Sequence, residues 1–176
     1  MIDASMLRNG MILHARTRGC FGRMIRRVLR SWGNHDALLW QDTAGVWWVL
    51  DSEPPVARLT PLSEWLTSKG AELRFYWPHG ASISDGNIAA KWWLAHVRNS
   101  RYDYWAFPRL LWRAAFGPWW KRAAGKDWAW YCTEGVRGGW AFAGYDPWGA
   151  DNPTPGTSEK RVREGAIEDW TGEVAS

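Results

Sequence analysis

Sulfur is scarce in this chain of 176 residues: there are two cysteines, Cys20 and Cys132, and four methionines. Two cysteines cannot form a disulfide framework. Neither falls in the Cys/His spacing of a zinc site, so no metal and no cofactor is expected. Long hydrophobic runs are missing too. No window approaches the roughly 18 uninterrupted apolar residues of a membrane span, so membrane contact, if any, would be peripheral. Residues 1–16 lack the continuous apolar segment of a secretory signal. The expected compartment is therefore reducing and cytoplasmic, which suits a free thiol. There is no internal repeat and no sign of a second domain. The reading is one domain over residues 1–176, with a polar C-terminal tail from about residue 146.

Charge of either sign is moderate. With 22 Lys and Arg against 18 Asp and Glu, the net charge is +4, which permits anionic partners but does not call for nucleic acid. Tryptophan is the excess, at 17 residues. Its large ring favours burial and its N–H needs a partner, so most of these residues are read as core and groove lining.

The pattern along the chain alternates short strands and helices. Met11–Leu13 reads as a first strand. Cys20–Trp32 reads as an amphipathic helix, with Met24, Ile25, Val28, Leu29 and Trp32 on one face and Arg23, Arg26, Arg27 and Arg30 on the other. The arginine face is either simply solvated or a docking surface for an anionic lipid, polymer or nucleic acid. His35–Trp40, the turn Asp42–Gly45 and Val46–Leu50 form a predicted hairpin. Val56–Leu59 is another short strand, Pro61–Thr67 a helix and Glu72–Trp77 a strand. A capping-box-like Ser82-Ile83-Ser84-Asp85 opens a helix to Arg98, with Ile88, Trp92 and Ala95 on one face. Asn99–Trp105 is a turn, Phe107–Phe116 a helix and Pro118–Asp127 a basic connection. Cys132 opens the next helix, on which Val136 and Trp140 share a face. Asp146–Thr157 is a loop. Ser158–Ile167 is a polar helix with Ser158 as N-cap.

Cys132 stands out within Trp130-Tyr131-Cys132-Thr133-Glu134. At the first turn of a helix, free backbone N–H groups and the helix dipole favour an anion. The thiolate is the reactive form of cysteine. The bland alternative is a small apolar core filler. A nucleophilic cysteine needs an imidazole and a polar group to orient it. Of the four histidines, His14 lies in the first strand, His79 in a loop and His96 in mid-helix. His35 begins a buried strand directly after a turn. On the partner strand Asp51 and Glu53 point to the same face by the period of two, so either could orient His35.

The motifs Asn34-His35-Asp36-Ala37-Leu38, Val49-Leu50-Asp51, Thr60-Pro61-Leu62, Arg101-Tyr102-Asp103-Tyr104 and Cys132-Thr133-Glu134, in that order, resemble the circularly permuted NlpC-like cysteine hydrolases. This is the YiiX-like branch of the papain-fold superfamily, related to lecithin retinol acyltransferase. The resemblance runs from about Gly10 to Ile167. It implies an α+β fold: a small antiparallel sheet or half-barrel packed against helices. It also implies Cys132 as nucleophile, His35 as base, Asp51 as orienting acid with Glu53 as competitor, and Tyr102 beside the site. The Cys132 N–H would serve the oxyanion. The implied activity is cysteine-dependent hydrolysis or acyl transfer at an amide, isopeptide or ester. The implied substrates are peptides, peptidoglycan fragments or lipid-like acyl groups. The chain departs from the pattern at Asn34, Asp36 and Asp51. Gly135, Gly138 and Gly139 weaken the Cys helix by about 1 kcal/mol each relative to Ala. The competing expectation is a non-catalytic binding module that uses the Trp and Arg surfaces.

Overall fold

A computed structural model describes residues 2–104, 129–149 and 153–174, together with Pro108. For Ala129 and Trp130 only the backbone is described. Apart from Pro108, the predicted helix Phe107–Phe116 and the basic connection Pro118–Asp127 lie outside these residues.

The fold is α+β. Six strands form one antiparallel sheet in the order β4-β3-β2-β1-β5-β8. They are β1 (Ile12–Arg16), β2 (His35–Gln41), β3 (Trp47–Asp51), β4 (Arg58–Pro61), β5 (Glu72–Pro78) and β8 (Ile167–Asp169). β6 (Arg101–Tyr102) and β7 (Ala129–Trp130) make a separate parallel pair. The helices are α1 (Cys20–Leu29), α2 (Leu62–Lys69), α3 (Ile83–His96), α4 (Cys132–Phe142), α5 (Pro155–Arg163) and α6 (Thr171–Val174).

β1 and β2 are buried on both faces, so their apolar runs, Met11-Ile12-Leu13 and Ala37-Leu38-Leu39, are continuous rather than alternating. β1 extends beyond the predicted Leu13 to Arg16, because His14 and Ala15 are also fully buried and pair with Asp36 and His35. Trp65, Trp93, Trp140 and Trp148 are fully buried core residues. The Trp140 indole donates to the Gly10 carbonyl and the Trp148 indole to Ser158 Oγ, each at 3.1 Å.

α3 begins as predicted, with Ser82 as N-cap and Asp85 completing the capping box. Its buried face differs. Gly86, Ala89, Ala90 and Trp93 face inward, whereas Ile88 and Ala95 are exposed and Trp92 is half-buried. Small residues win because α3 and α4 approach closely. A Cβ on Gly139 would lie 2.6 Å from the Ala89 carbonyl oxygen, and one on Gly135 would lie 3.0 Å from the Trp93 indole nitrogen. These glycines cost helix propensity but permit the packing that seats Cys132.

α1 stops at Leu29, three residues short of the predicted end, because Arg30 takes a left-handed conformation (φ 49°). Trp32 consequently leaves the helical face and stacks under the Arg74 guanidinium. The segment expected as a polar tail supplies α5, edge strand β8 and α6. α5 starts at Pro155, inside the predicted loop. Thr154, not Ser158, is its N-cap, and Pro155 occupies the first turn, where its missing N–H is not needed. Ser158 is buried within the helix. Among the described residues, no helix is long and apolar enough to cross a membrane.

Closing the α3–α4 contact with a methyl group tests this packing. Gly139→Ala should lower the unfolding free energy by about 1–3 kcal/mol, since backbone rather than a flexible side chain must move. Gly172→Ala, which meets nothing within 4 Å, should leave the melting temperature nearly unchanged. Equal effects in thermal denaturation would contradict the close-approach account.

Candidate active site

His35 is the first residue of β2, and its side chain is half-buried. Its Nε2 lies 2.5 Å from Asp51 Oδ1. Asp51 ends β3 and is fully buried. Its second oxygen accepts the Trp65 indole N–H at 2.7 Å. The Trp65 ring, from α2, lies nearly parallel to the imidazole at 6.4 Å between centroids. The carboxylate is thus held by two donors, and the imidazole by the carboxylate and an aromatic face.

Register explains which acid meets His35. Leu38 pairs with Leu50 and Gln41 with Trp47. Carried two residues past the end of β3, that register would set Glu53 opposite His35, with Asp51 one diagonal step away. The ladder ends first. Glu53 turns instead to Arg58 and Lys69, forming an ion pair with each. It lines the cavity described below but makes no hydrogen bond to His35, so it is not the orienting group in this geometry.

Cys132 begins α4 and is buried. Its sulfur lies 3.8 Å from Thr133 Oγ1, and it shares a cavity wall with His35. Because Nε2 is committed to Asp51, Nδ1 is the ring nitrogen left for another partner. Burial pulls the His35 imidazole down. The charge of Asp51, that of Cys132 and the hydrogen bond the ring donates to Asp51 outweigh it and hold His35 well above the ordinary value of 6.5. Burial pushes Asp51 up, but the His35 charge and the hydrogen bonds from His35 and Trp65 hold it below the usual carboxylate value. Both shifts favour the imidazolium–carboxylate form of the pair. The N-cap of α4, Tyr131, makes no side-chain capping bond, and so leaves the helix start at Cys132 uncapped. Tyr102 packs on Tyr131 and Cys132. Burial, then the Cys132 and Asp51 charges, raise its phenol, keeping it a neutral donor.

His35, Tyr102, Tyr131 and Cys132 line a cavity of about 300 Å³. Its opposite wall is the apolar face of α1, with Phe21, Ile25, Val28 and Leu29; Arg18, Lys69 and Glu53 supply its charged groups. Among the described residues no tryptophan lines the cavity, because the buried indoles are committed to the core. Cys20 is exposed, with the Arg23 guanidinium 3.2 Å from its sulfur.

Behind this cluster, on the other face of β2, sits a second one. His14 is fully buried, with Nδ1 2.6 Å from Asp36 and Nε2 2.9 Å from Glu159. Asp36 Oδ2 accepts from Thr133 Oγ1 at 2.7 Å and Ser158 Oγ at 2.9 Å. Glu159 also accepts from Ser31 Oγ and the Gly33 N–H. Asp36 neighbours His35, and Thr133 neighbours Cys132, so this network ties the two halves of the site at one remove. Read from sequence, Asp36 is a departure at an apolar position. The fold makes it a hub, because the His14 charge and two hydroxyls satisfy it. The one sequence signal was the pair of buried-strand residues His14 and Asp36, which only the β1–β2 register brings opposite each other.

No protein-family model and no curated protein sequence matches the chain. A solved structure does. The crystal structure of the metalloprotein YiiX from Escherichia coli O157:H7 superposes with a TM-score of 0.58 at 18% identity, over 90% of this chain and 84% of that one. The chain therefore has a YiiX-like, papain-like fold. Among the described residues of this chain, no group of three or more His, Cys, Asp or Glu is placed to hold a metal ion. Both His14 nitrogens are engaged with carboxylates at hydrogen-bonding distance, so that cluster does not fit a metal either.

The second cluster makes stability depend on pH. Burial lowers His14, but Asp36 and Glu159 raise it to about 9. Burial raises Glu159, but its bonds to His14, Ser31 and Gly33 lower it to about 2. The histidine contribution is fully present below about pH 6.5 and is lost as pH rises through about 9. The glutamate contribution is present above about pH 4.5 and is lost as pH falls towards about 2. Melting temperature should therefore be highest near pH 5–6.5 and decline towards pH 9. His14→Phe should cost about 3–5 kcal/mol by leaving buried carboxylates without a cation, and should flatten the alkaline decline. An unchanged alkaline slope in that variant would contradict the assignment.

Proposed function

We propose that the protein is a cysteine hydrolase or acyltransferase acting on an amide, isopeptide or ester carbonyl. The observation that supports it most is the His35 imidazole bonded to the buried Asp51 carboxylate and lining one cavity with Cys132, which begins a helix. The YiiX-like fold is consistent with this reading.

In this mechanism the Cys132 thiolate adds to the substrate carbonyl carbon, and the carbonyl electrons move to oxygen. The backbone N–H of Cys132 faces that oxyanion, and the neutral Tyr102 phenol lies close enough to line the same space. Collapse re-forms the carbonyl and breaks the bond to the leaving amine or alcohol, which takes the His35 proton. An acyl-thioester remains on Cys132. His35, now neutral, removes a proton from water or another acceptor as it attacks the thioester. The C–S bond breaks, and the thiolate–imidazolium pair returns. Asp51 fixes the ring so that Nδ1 faces sulfur and stabilises the imidazolium. Peptides, peptidoglycan fragments and lipid-like acyl groups all present such a carbonyl. The α1 wall favours a substrate with an apolar portion beside it.

p-Nitrophenyl esters of short and medium chain length, with intact-protein mass spectrometry, test the step directly. Wild type should acquire one acyl group on Cys132 and release nitrophenol. Cys132→Ser should lower turnover by about 1,000-fold or more. No adduct on Cys132, with turnover unchanged in Cys132→Ser, would remove the proposal.

The pH profile tests Asp51 separately. With His35 held above its ordinary value, the alkaline limb of the rate should lie well above pH 6.5. Asp51→Asn removes the charge that raises His35, so the limb should move to lower pH and the rate fall by about 100-fold or more. Glu53→Gln should leave the limb in place. A shift produced by Glu53→Gln instead would assign the orienting role to Glu53.

A further inference from the structure

Positive charge is not spread over this chain. Between Asp3 and Asp36 there is no acidic residue, yet seven arginines fall there: Arg8, Arg16, Arg18, Arg23, Arg26, Arg27 and Arg30. With 18 acidic and 15 other basic residues elsewhere, the remainder of the chain is net acidic. Three of the seven have partners in the body of the protein. Arg8 stacks on Trp170, Arg16 meets Glu72, and Arg26 donates to the Thr17 carbonyl and Asn34. Arg18, Arg23, Arg27 and Arg30 are exposed and form no ion pair with a carboxylate among the described residues.

These free cations surround α1, and α1 is an unusual helix. Gly22 is its one buried residue. At 100° per residue, Met24, Val28, Phe21, Ile25 and Leu29 form one arc, and the arginines form the opposite one. In a helix packed on a core the apolar arc would be covered. Here Ile25, Val28 and Leu29 border the cavity, while Phe21 is 56% exposed and Met24 40% exposed. Around the helix, Arg27 lies next to Met24.

We propose that α1 is the membrane-docking element of this protein and that its partner is an anionic lipid bilayer. Phe21 and Met24 enter the headgroup region, and Arg18, Arg23, Arg27 and Arg30 pair with lipid phosphates. A surface that combines exposed apolar side chains with unpaired arginines fits a bilayer, which offers hydrocarbon and negative charge together. A nucleic acid would use the arginines but gain little from Phe21 or Met24. Because Phe21 also borders the cavity, docking sets the cavity mouth against the lipid surface. The proposal does not depend on catalysis.

Co-sedimentation with lipid vesicles tests it, using the full chain in a Cys132→Ala background so that turnover cannot alter the lipid. Vesicles of phosphatidylcholine with about 30 mol% phosphatidylglycerol should bind at least about tenfold better than phosphatidylcholine alone. The double variant R23E/R27E should lose at least about tenfold of that binding, from roughly one kcal/mol per surface charge. The double variant F21S/M24S should lose several-fold while keeping all the arginines. R163E, on exposed α5 surface, should bind like the parent. Circular dichroism confirms that each variant is folded. Three results overturn the proposal: no preference for anionic vesicles, binding that survives R23E/R27E, or binding untouched by F21S/M24S. The last result, with equal binding to double-stranded DNA, would mark a general polyanion patch instead.

Discussion

Two imidazole–carboxylate pairs sit back to back across one strand, and the geometry of the site depends on that arrangement. β2 alternates its side chains, so His35 faces Asp51 on one side while Asp36 faces His14 on the other. The pair carrying His35 borders the cavity; the pair carrying His14 is closed. A buried charge needs a partner, and each pair here supplies one for the other member. The closed pair recruits hydroxyls from α4 and α5, Thr133 and Ser158. This draws the start of α4 onto β2, with Cys132 beside His35. Losing the closed pair would disturb the open one without touching His35 or Cys132.

The glycines of α4 belong to the same construction. Helix propensity alone counts Gly135 and Gly139 against it. Contact with α3 reverses that judgement, because only a helix without Cβ atoms at those positions lies close enough to the Ala89 carbonyl and the Trp93 ring. Local cost is offset by packing, and the packing sets where the sulfur sits. The opposite logic holds for α1, whose strong amphipathic pattern is not spent on the core. Its apolar arc forms a cavity wall and an exposed edge.

Much of this was legible in the sequence. Strand–helix order, the hairpin, and the helix starts at Cys20, Ser82 and Cys132 follow from periodicity and capping residues. His35, Asp51 and Cys132 each stand at the end of a regular element, where a rigid scaffold can aim a side chain. On α3 the spacing of Ile88, Trp92 and Ala95 suggests a buried face, whereas close helix contact selects the small residues Gly86, Ala89 and Ala90. Pro155-Gly156 looks like a breaker, but proline fits a first turn after the Thr154 cap, so α5 starts there. Trp65, Trp93, Trp140 and Trp148 take the core positions expected of tryptophan. The His14–Asp36–Glu159 network was out of reach because Glu159 and His14 meet only through tertiary folding.

The central claim is that His35 and Cys132 act together, and thiol labelling reads it most directly. Wild type and His35→Ala would each be treated briefly with iodoacetamide at neutral pH, digested and mapped by mass spectrometry. Cys132 should label in wild type despite its burial, and labelling should fall by at least about tenfold in His35→Ala. Cys20, exposed and without an imidazole, should label equally in both. Labelling confined to Cys20 in both proteins, or a Cys132 rate indifferent to His35, would contradict the pairing of thiol and imidazole.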